Sequence, residues 1–298
     1  MRGVFIMSVS VYISNNYINV VSGSKTKNSL TIKSCVKVPI QEGLIINGVI
    51  MNEDNLAAAV KNVWSDNPEL AKSVKLVVSS TSVLSKKLNV PAVGDKKLLD
   101  IIKDEYSEVE NYQKLIYDYR VLDPKAKDGG MIVMACAVER EFIEGYINLF
   151  DKCSIKLESI TTAVSSLINA VSYFENFSHA TYVITNLDGN NLSNTLFVNG
   201  EYNYSSRSRL LEEIGSEDSE NELYRNLSSL IQFNKSQKTG FDITDIYFTG
   251  DLNEGVYDFS ERLSQALGVR VSPLDPPKSV RGADKGLFNK LFYTMGNL

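Results

Sequence analysis

Two rhythms of apolar and polar positions alternate along the chain: period-two runs that mark strands, and three- and four-residue spacings that mark helices. Residues 8–22, SVSVYISNNYINVVS, read as an apolar strand, a polar turn at Ser14, Asn15 and Asn16, and a second apolar strand. Residues 181–202, TYVITNLDGNNLSNTLFVNGEY, repeat that outline, with a turn at Asp188, Gly189, Asn190 and Asn191 and a hairpin signal at Asn199-Gly200. The hairpins lie about 170 residues apart and each leads into helical sequence. This predicts two similar halves facing each other across a cleft.

Between them the pattern predicts strands at 30–38 and 46–50, and a helix opening at Asn52 with Leu56, Val60, Val63 and Trp64 on one face. A buried strand follows at 74–79. An amphipathic strand at 83–90 stops at Pro91, and a helix at 95–107 carries Leu98, Leu99, Ile101, Ile102 and Tyr106. Strands at 117–122 and 131–138 flank the turn DPKAKDGG, and an amphipathic helix spans 139–153. Residues 83–153 thus read as a compact inserted subdomain. The segment 160–173 predicts a helix without charge, suited to burial between domains.

After the second hairpin come a polar connection at 205–221 and a helix bearing Leu223, Leu227, Leu230 and Ile231. A buried strand at 245–249 reaches Gly250, a helix at 256–267 is ended by Gly268, and a strand covers 269–272. The closing segment sets Leu287, Phe288, Leu291, Phe292 and Met295 on one helical side.

Composition narrows the class. The 298 residues are 43% hydrophobic, which supplies two cores. The net charge of -5 is spread without a basic stripe, which argues against nucleic acid as a partner. Cys35, Cys136 and Cys153 stand far apart without metal-ligand spacing, as expected for reduced core cysteines. No run reaches the length of a membrane span, and the start MRGVFIM reads as the lead-in to a first strand. These features predict a cytoplasmic protein that does not cross the membrane by itself. His179, the one histidine, lies next to no nucleophile pattern. Pairs such as Glu212 and Glu213 read as solvated. No complete catalytic constellation is present, and no metal site is expected.

Three segments carry a family resemblance. SVLSKKLNVPAVGDKKLLDIIKDEYSE with YDYRVLD, then VMACAVEREFIEGYINLFDKCSIKLESITTAVSSLINAV, then DITDIYFTGDLNEGVYDFSERLSQALGVRVSPLDP together resemble the PilM family of type IV pilus assembly proteins. That family is related to FtsA and to the cytoplasmic part of the type II secretion protein GspL. The resemblance implies an α/β, actin-like fold of the ribonuclease H-like/hexokinase superfamily, a two-lobed ATPase framework. It divides the chain into a lobe 1 core at 1–78 plus 154–178 and an inserted subdomain at 79–153. A lobe 2 core at 179–204 plus 241–298 and a reduced small subdomain at 205–240 complete it.

In actin-like ATPases the two hairpin turns and a glycine loop hold magnesium and phosphate. Here that places Ser14, Asn15, Asn16, Asp188, Gly189, Asn190 and Gly250 at the nucleotide loops. The loops depart from the pattern: Tyr12 falls where an Asp is expected and Ser14 where a Gly is. In the second turn one alignment puts Asn186 at the Asp position, and a frame shifted by two residues puts Asp188 there. Asp251 beside Gly250 would face an anionic ligand. The reading is of a scaffold that is not an enzyme, with bound ATP and magnesium left open.

The resemblance further implies that the N-terminal cytoplasmic peptide of the inner-membrane protein PilN lies in a groove between the lobe 1 sheet and the insertion. The expected walls are the strand 79–88 and the helix 98–106, with pockets from Val83, Leu99, Ile102 and Tyr106. Such a protein sits at the inner face of the cell membrane only through its partner, beside other pilus proteins such as the assembly ATPase. Two alternatives stay open: an ATP-binding protein or ATPase of the same fold, and an FtsA-like filament protein whose last helix, 286–298, lies on lipid.

Overall fold

A computed structural model describes residues 7–126, 129–212, 214–252 and 255–298. Expectations for the first strand's lead-in, the centre of the DPKAKDGG turn and Glu213 lie outside those residues.

The first hairpin forms as β1 (Ser8–Ile13) and β2 (Tyr17–Lys25), continued by β3 (Leu30–Pro39) into an antiparallel meander. A small hairpin, β4 (Ile45–Ile46) and β5 (Val49–Ile50), turns at Asn47-Gly48. Helix α1 (Glu53–Asp66) follows, with the Asn52 side chain accepting from the Asn55 N–H as its cap. β6 (Ser73–Val78) then pairs parallel to β1.

The insertion consists of β7 (Leu84–Pro91), α2 (Asp95–Glu105), β8 (Leu115–Asp123) and β9 (Gly130–Glu139), whose strands are ordered β7-β9-β8. The next helix, α3 (Arg140–Lys152), corrects the expected boundary. Its Tyr146, Leu149 and Phe150 are buried in the lobe 1 core with Val9, Leu56 and Val60, because those apolar residues meet the sheet rather than the insertion. β10 (Lys156–Thr162) pairs parallel to β6. Residues 160–162, expected to be helical, are therefore strand, and α4 (Ala163–Val171) begins after Thr162, whose hydroxyl caps it by accepting from the Ser165 N–H.

Lobe 2 repeats the plan with β11 (Tyr182–Asp188), β12 (Asn191–Val198) and β13 (Glu201–Arg209), then α5 (Glu217–Ser236), β14 (Asp245–Gly250), α6 (Gly255–Leu267) and β15 (Arg270–Pro273). Its order β13-β12-β11-β14-β15 matches β3-β2-β1-β6-β10 of lobe 1, strand for strand and direction for direction. The segment 205–240 makes no separate subdomain among the described residues. β13 stays in the sheet to Arg209, and α5 lays Leu223, Leu227 and Leu230 into the lobe 2 core.

The chain end also departs from expectation. β16 (Val280–Arg281) pairs parallel to β3, and α7 (Lys285–Lys290) leads to α8 (Phe292–Gly296), which packs on α4, β1 and β2. β16 and α8 therefore rejoin lobe 1, while α7 between them packs on β14 of lobe 2. The closest approach is at Gly296, where a Cβ would stand 2.0 Å from the Ser166 carbonyl oxygen. Every residue of α8 is buried. Its apolar side is used up inside the protein, so the expectation of a lipid-bound last helix does not hold. The core between the lobes joins α4 and α8 to residues of both sheets, among them Tyr12, Val21, Tyr182 and Phe197. Among the described residues no helix is long and apolar enough to cross a membrane.

Candidate functional site

The equivalent positions of β1 and β11 set the turns after them face to face across the cleft. In the first turn the Ser14 hydroxyl accepts from the backbone N–H groups of Asn16 and Tyr17, and the Ser14 N–H donates to the Tyr17 carbonyl. The N–H groups of Ser14, Asn16 and Tyr17 are thus satisfied within the turn. Gly189 of the second turn has a φ of +56°, and a Cβ there would come within 2.8 Å of the Asn16 side-chain nitrogen. The two turns touch.

Tyr12 Oη donates to Asp188 Oδ2 at 3.0 Å. The tyrosine is 6% exposed, and its ring meets that of Tyr293 edge-on at 5.7 Å. Burial pushes the Asp188 carboxyl above its ordinary value, while the bonds from Tyr12 and Ser14 and the charge of Arg207 pull it back. Burial likewise raises the Tyr12 phenol well above its usual range. Asn186 is spent elsewhere: it is 5% exposed and donates to Thr249 Oγ1 at 3.0 Å. Of the two alignment frames, the carboxylate facing the opposite turn is Asp188.

The third loop is equally committed. Gly250 has a φ of +97°, and a Cβ would lie 2.0 Å from the Leu187 carbonyl oxygen, which accepts from the Asp251 N–H at 2.8 Å. Asp251 pairs with Lys37 of β3 at 2.8 Å, and the lysine ammonium stands 3.8 Å from the Tyr17 ring centre. Two polar ties therefore cross the cleft beside the turns. An outer cleft of about 880 Å³ opens on the solvent side, edged by Asn15, Asn16, Gly189, Asn190 and Asp251.

The sequence-predicted loop residues are thus brought together, but as neighbours of each other. The donor set between the turns is a phenol hydrogen-bonded to the one carboxylate. A hydrated magnesium with phosphate is ordinarily held by free carboxylates and small residues with open backbone N–H groups. No cluster of metal-ligating side chains occurs among the described residues.

A second concavity lies between lobe 1 and the insertion. β8 and β10 are each the outer strand of their sheet, and an apolar groove of about 190 Å³ runs between them. Val83, Ile116, Tyr117, Met134, Ile143 and Ile160 are among its lining residues.

The family model described as type IV pilus assembly protein PilM matches residues 10–188, more than half of the sequence. The chain belongs to the PilM family. No curated protein matches it significantly in sequence. Among solved structures, this PilM family member is similar to a chain of the PilM-PilN type IV pilus biogenesis complex, with a TM-score of 0.83 at 14% identity over 97% of each chain. A Bacteroides thetaiotaomicron protein of actin-like ATPase fold and unknown function gives 0.57 at 11% identity over 90% of each chain. The cytoplasmic domain of EpsL, an inner-membrane component of the type II secretion system of Vibrio cholerae, gives 0.52 at 10% identity over 96% of this chain and 93% of that one. The fold is the actin-like two-lobed fold, and the protein is a PilM-like pilus assembly protein.

Four residues had been expected to line the partner groove. Val83 does line the groove of this PilM family member. Ile102 and Tyr106 do not face it: they are 0% and 1% exposed in the core of the insertion, where Tyr106 Oη donates to the Ala135 carbonyl at 3.0 Å. Helical spacing turns that face of α2 onto its own three-stranded sheet. Leu99, also on α2, is half-buried and not among the lining residues. The walls come instead from β8, β9 and β10. The predicted strand at 117–122 is β8, and its residues 116–120 line the groove, but the pattern of apolar positions did not mark it as a wall.

Proposed function

We propose that this protein is a docking scaffold of the pilus-assembly machine, taking the extended N-terminal peptide of an inner-membrane partner of the PilN kind between β8 and β10. The observation that carries the reading is the pair of outer strand edges flanking one apolar groove. An exposed strand edge offers unpaired N–H and C=O groups, and a peptide laid along it gains main-chain hydrogen bonds while its alternate side chains enter pockets. The solved PilM-PilN complex of similar fold supports the choice of partner. In this reading the protein works at the inner face of the membrane, held there by the partner.

The same reading makes the interlobe cleft a structural joint without ATP turnover. The Tyr12–Asp188 bond, the contact of Asn16 with Gly189 and the Lys37–Asp251 pair support this.

Titration calorimetry with the partner's N-terminal peptide tests the docking. Binding at micromolar strength or better is expected, weakened at least tenfold by Val83→Asp or Ile160→Asp; undetectable binding rejects it. One observation favours a second reading, nucleotide retained without hydrolysis: the outer cleft is roomy and has Arg209 and Lys290 on its rim. Thermal unfolding with Mg-ATP separates the two, since a ligand at 100 times its Kd adds about 2.7 kcal/mol.

A further inference from the structure

β13 pairs with β12 at Ser193 and Arg207, and both residues line the interlobe space. A chamber of about 330 Å³ lies there, with no lining residue in common with the outer cleft. Both lobes and the start of the insertion contribute to it, and its wall is rich in hydroxyls, among them Ser79, Ser80, Thr81, Ser205 and Ser206. Arg207 is the cationic side chain in that wall.

Arg207 Nη1 is fully buried and has no hydrogen-bond partner among the described residues. A buried guanidinium nitrogen without a partner is costly, and native proteins nearly always supply an acceptor, an ordered water or an ion. Asp188 lies within electrostatic reach of Arg207 but forms no ion pair with it, being held by Tyr12. The other ionisable groups that sense Arg207 are the phenols of Tyr12, Tyr146 and Tyr293, which burial keeps neutral. The Tyr293 hydroxyl is engaged with Ser193, and the Tyr146 hydroxyl with the Gly48 carbonyl. Neither supplies the missing acceptor. The first residues of α4, Ala163 and Val164, also border the chamber, where the positive end of the helix dipole adds to the guanidinium.

We propose that this chamber binds a phosphate group, with Arg207 as its anchor. A planar guanidinium matches the spacing of phosphate oxygens, and hydroxyls donate to those that remain. The volume exceeds what phosphate alone fills, so both inorganic phosphate and a small phosphomonoester belong to the ligand class. The site is separate from the peptide groove, although the two share Val78, Val83 and Thr162 in their walls.

The test is calorimetry and thermal unfolding of the whole chain with inorganic phosphate and, separately, glycerol 3-phosphate, against chloride at matched ionic strength. Submillimolar binding of either ion is expected, with Arg207→Gln weakening it by about tenfold or more, as loss of a charged hydrogen bond implies. Binding of both ions makes the bare phosphate group sufficient; binding of the ester alone means that the hydroxyl wall holds the ester's body. Binding of neither to the wild-type chain overturns the proposal, whatever the variant does. So does binding that ADP displaces, because that would move the anion to the outer cleft. Should Arg207→Gln not fold, Arg207→Lys, which keeps the charge without the fork, is expected to bind more weakly than wild type; equal affinity overturns the anchor.

Discussion

The hydroxyl of Tyr12, near the end of β1, is bound to the carboxylate of Asp188, at the end of β11, so topologically equivalent strands of the two lobes are tied to each other at 3.0 Å. In the family resemblance those positions belong to a metal and phosphate site. Here the two side chains satisfy one another.

Tyr12→Phe is expected to lower stability by about 1–3 kcal/mol, because the partly buried carboxylate loses one of its donors. Urea unfolding at neutral pH measures this. A loss below about 0.3 kcal/mol would mean that the bond contributes nothing.

The same pair predicts a pH dependence. Burial raises the Asp188 carboxyl above the unfolded value of about 3.9. The native state then keeps its proton to higher pH than the unfolded state does. This contribution is therefore fully present below about pH 4 and is lost as pH rises through the raised native value. Asp188→Asn keeps an acceptor for Tyr12 and removes the titration. Its unfolding midpoint is expected to fall less with rising pH than that of wild type; parallel profiles would contradict the assignment.

Two glycines of the cleft separate backbone strain from collision. Gly189→Ala places a left-handed residue against the end of the flexible Asn16 side chain, and about 1–2 kcal/mol is expected. Gly250→Ala adds a contact at 2.0 Å with the fixed Leu187 carbonyl. It is expected to cost over about 4 kcal/mol or to prevent folding. Thermal unfolding of both variants ranks them, and the reverse order would be wrong for this geometry.

Much of this was legible in the residues. Period-two runs located both hairpins, and the Ser14 and Asp188 turns fell where the chain places them. The uncharged segment before the second hairpin marked a helix between the lobes. Elsewhere the pattern misled for physical reasons. The strand at 201–209 is polar beyond Tyr204, where Ser205, Ser206 and Arg207 line an interlobe chamber, Ser208 meets Asn226 of α5 and Arg209 edges the outer cleft, so it resembled a connection. Residues 160–162, Ile-Thr-Thr, are β-branched at the edge of a sheet, and run on into a helix without a break. The closing segment has the amphipathic stripe of a surface helix, yet both its sides meet protein. Arg207 was invisible because its importance lies in a partner that is missing, which only packing reveals.

Ile102 and Tyr106 give a direct contrast with the groove residues. Ile102→Ala is expected to cost about 2–5 kcal/mol through a cavity in the insertion. Tyr106→Phe should cost about 1 kcal/mol by freeing the Ala135 carbonyl. Neither should alter the peptide Kd of the folded fraction by more than about twofold. A tenfold loss of peptide affinity in either variant, at unchanged stability, would return these residues to the partner surface.

The parallel pairing of β16 with β3 has a plain bearing on how the molecule can be taken apart. Lobe 2 is a loop-out of lobe 1, entered through α4 and left through β15, so a single cut never yields both halves intact. A fragment stopping near residue 178 lacks its outermost strand and the helix that seals its underside. Dissection of this protein calls for removing the middle and rejoining the ends.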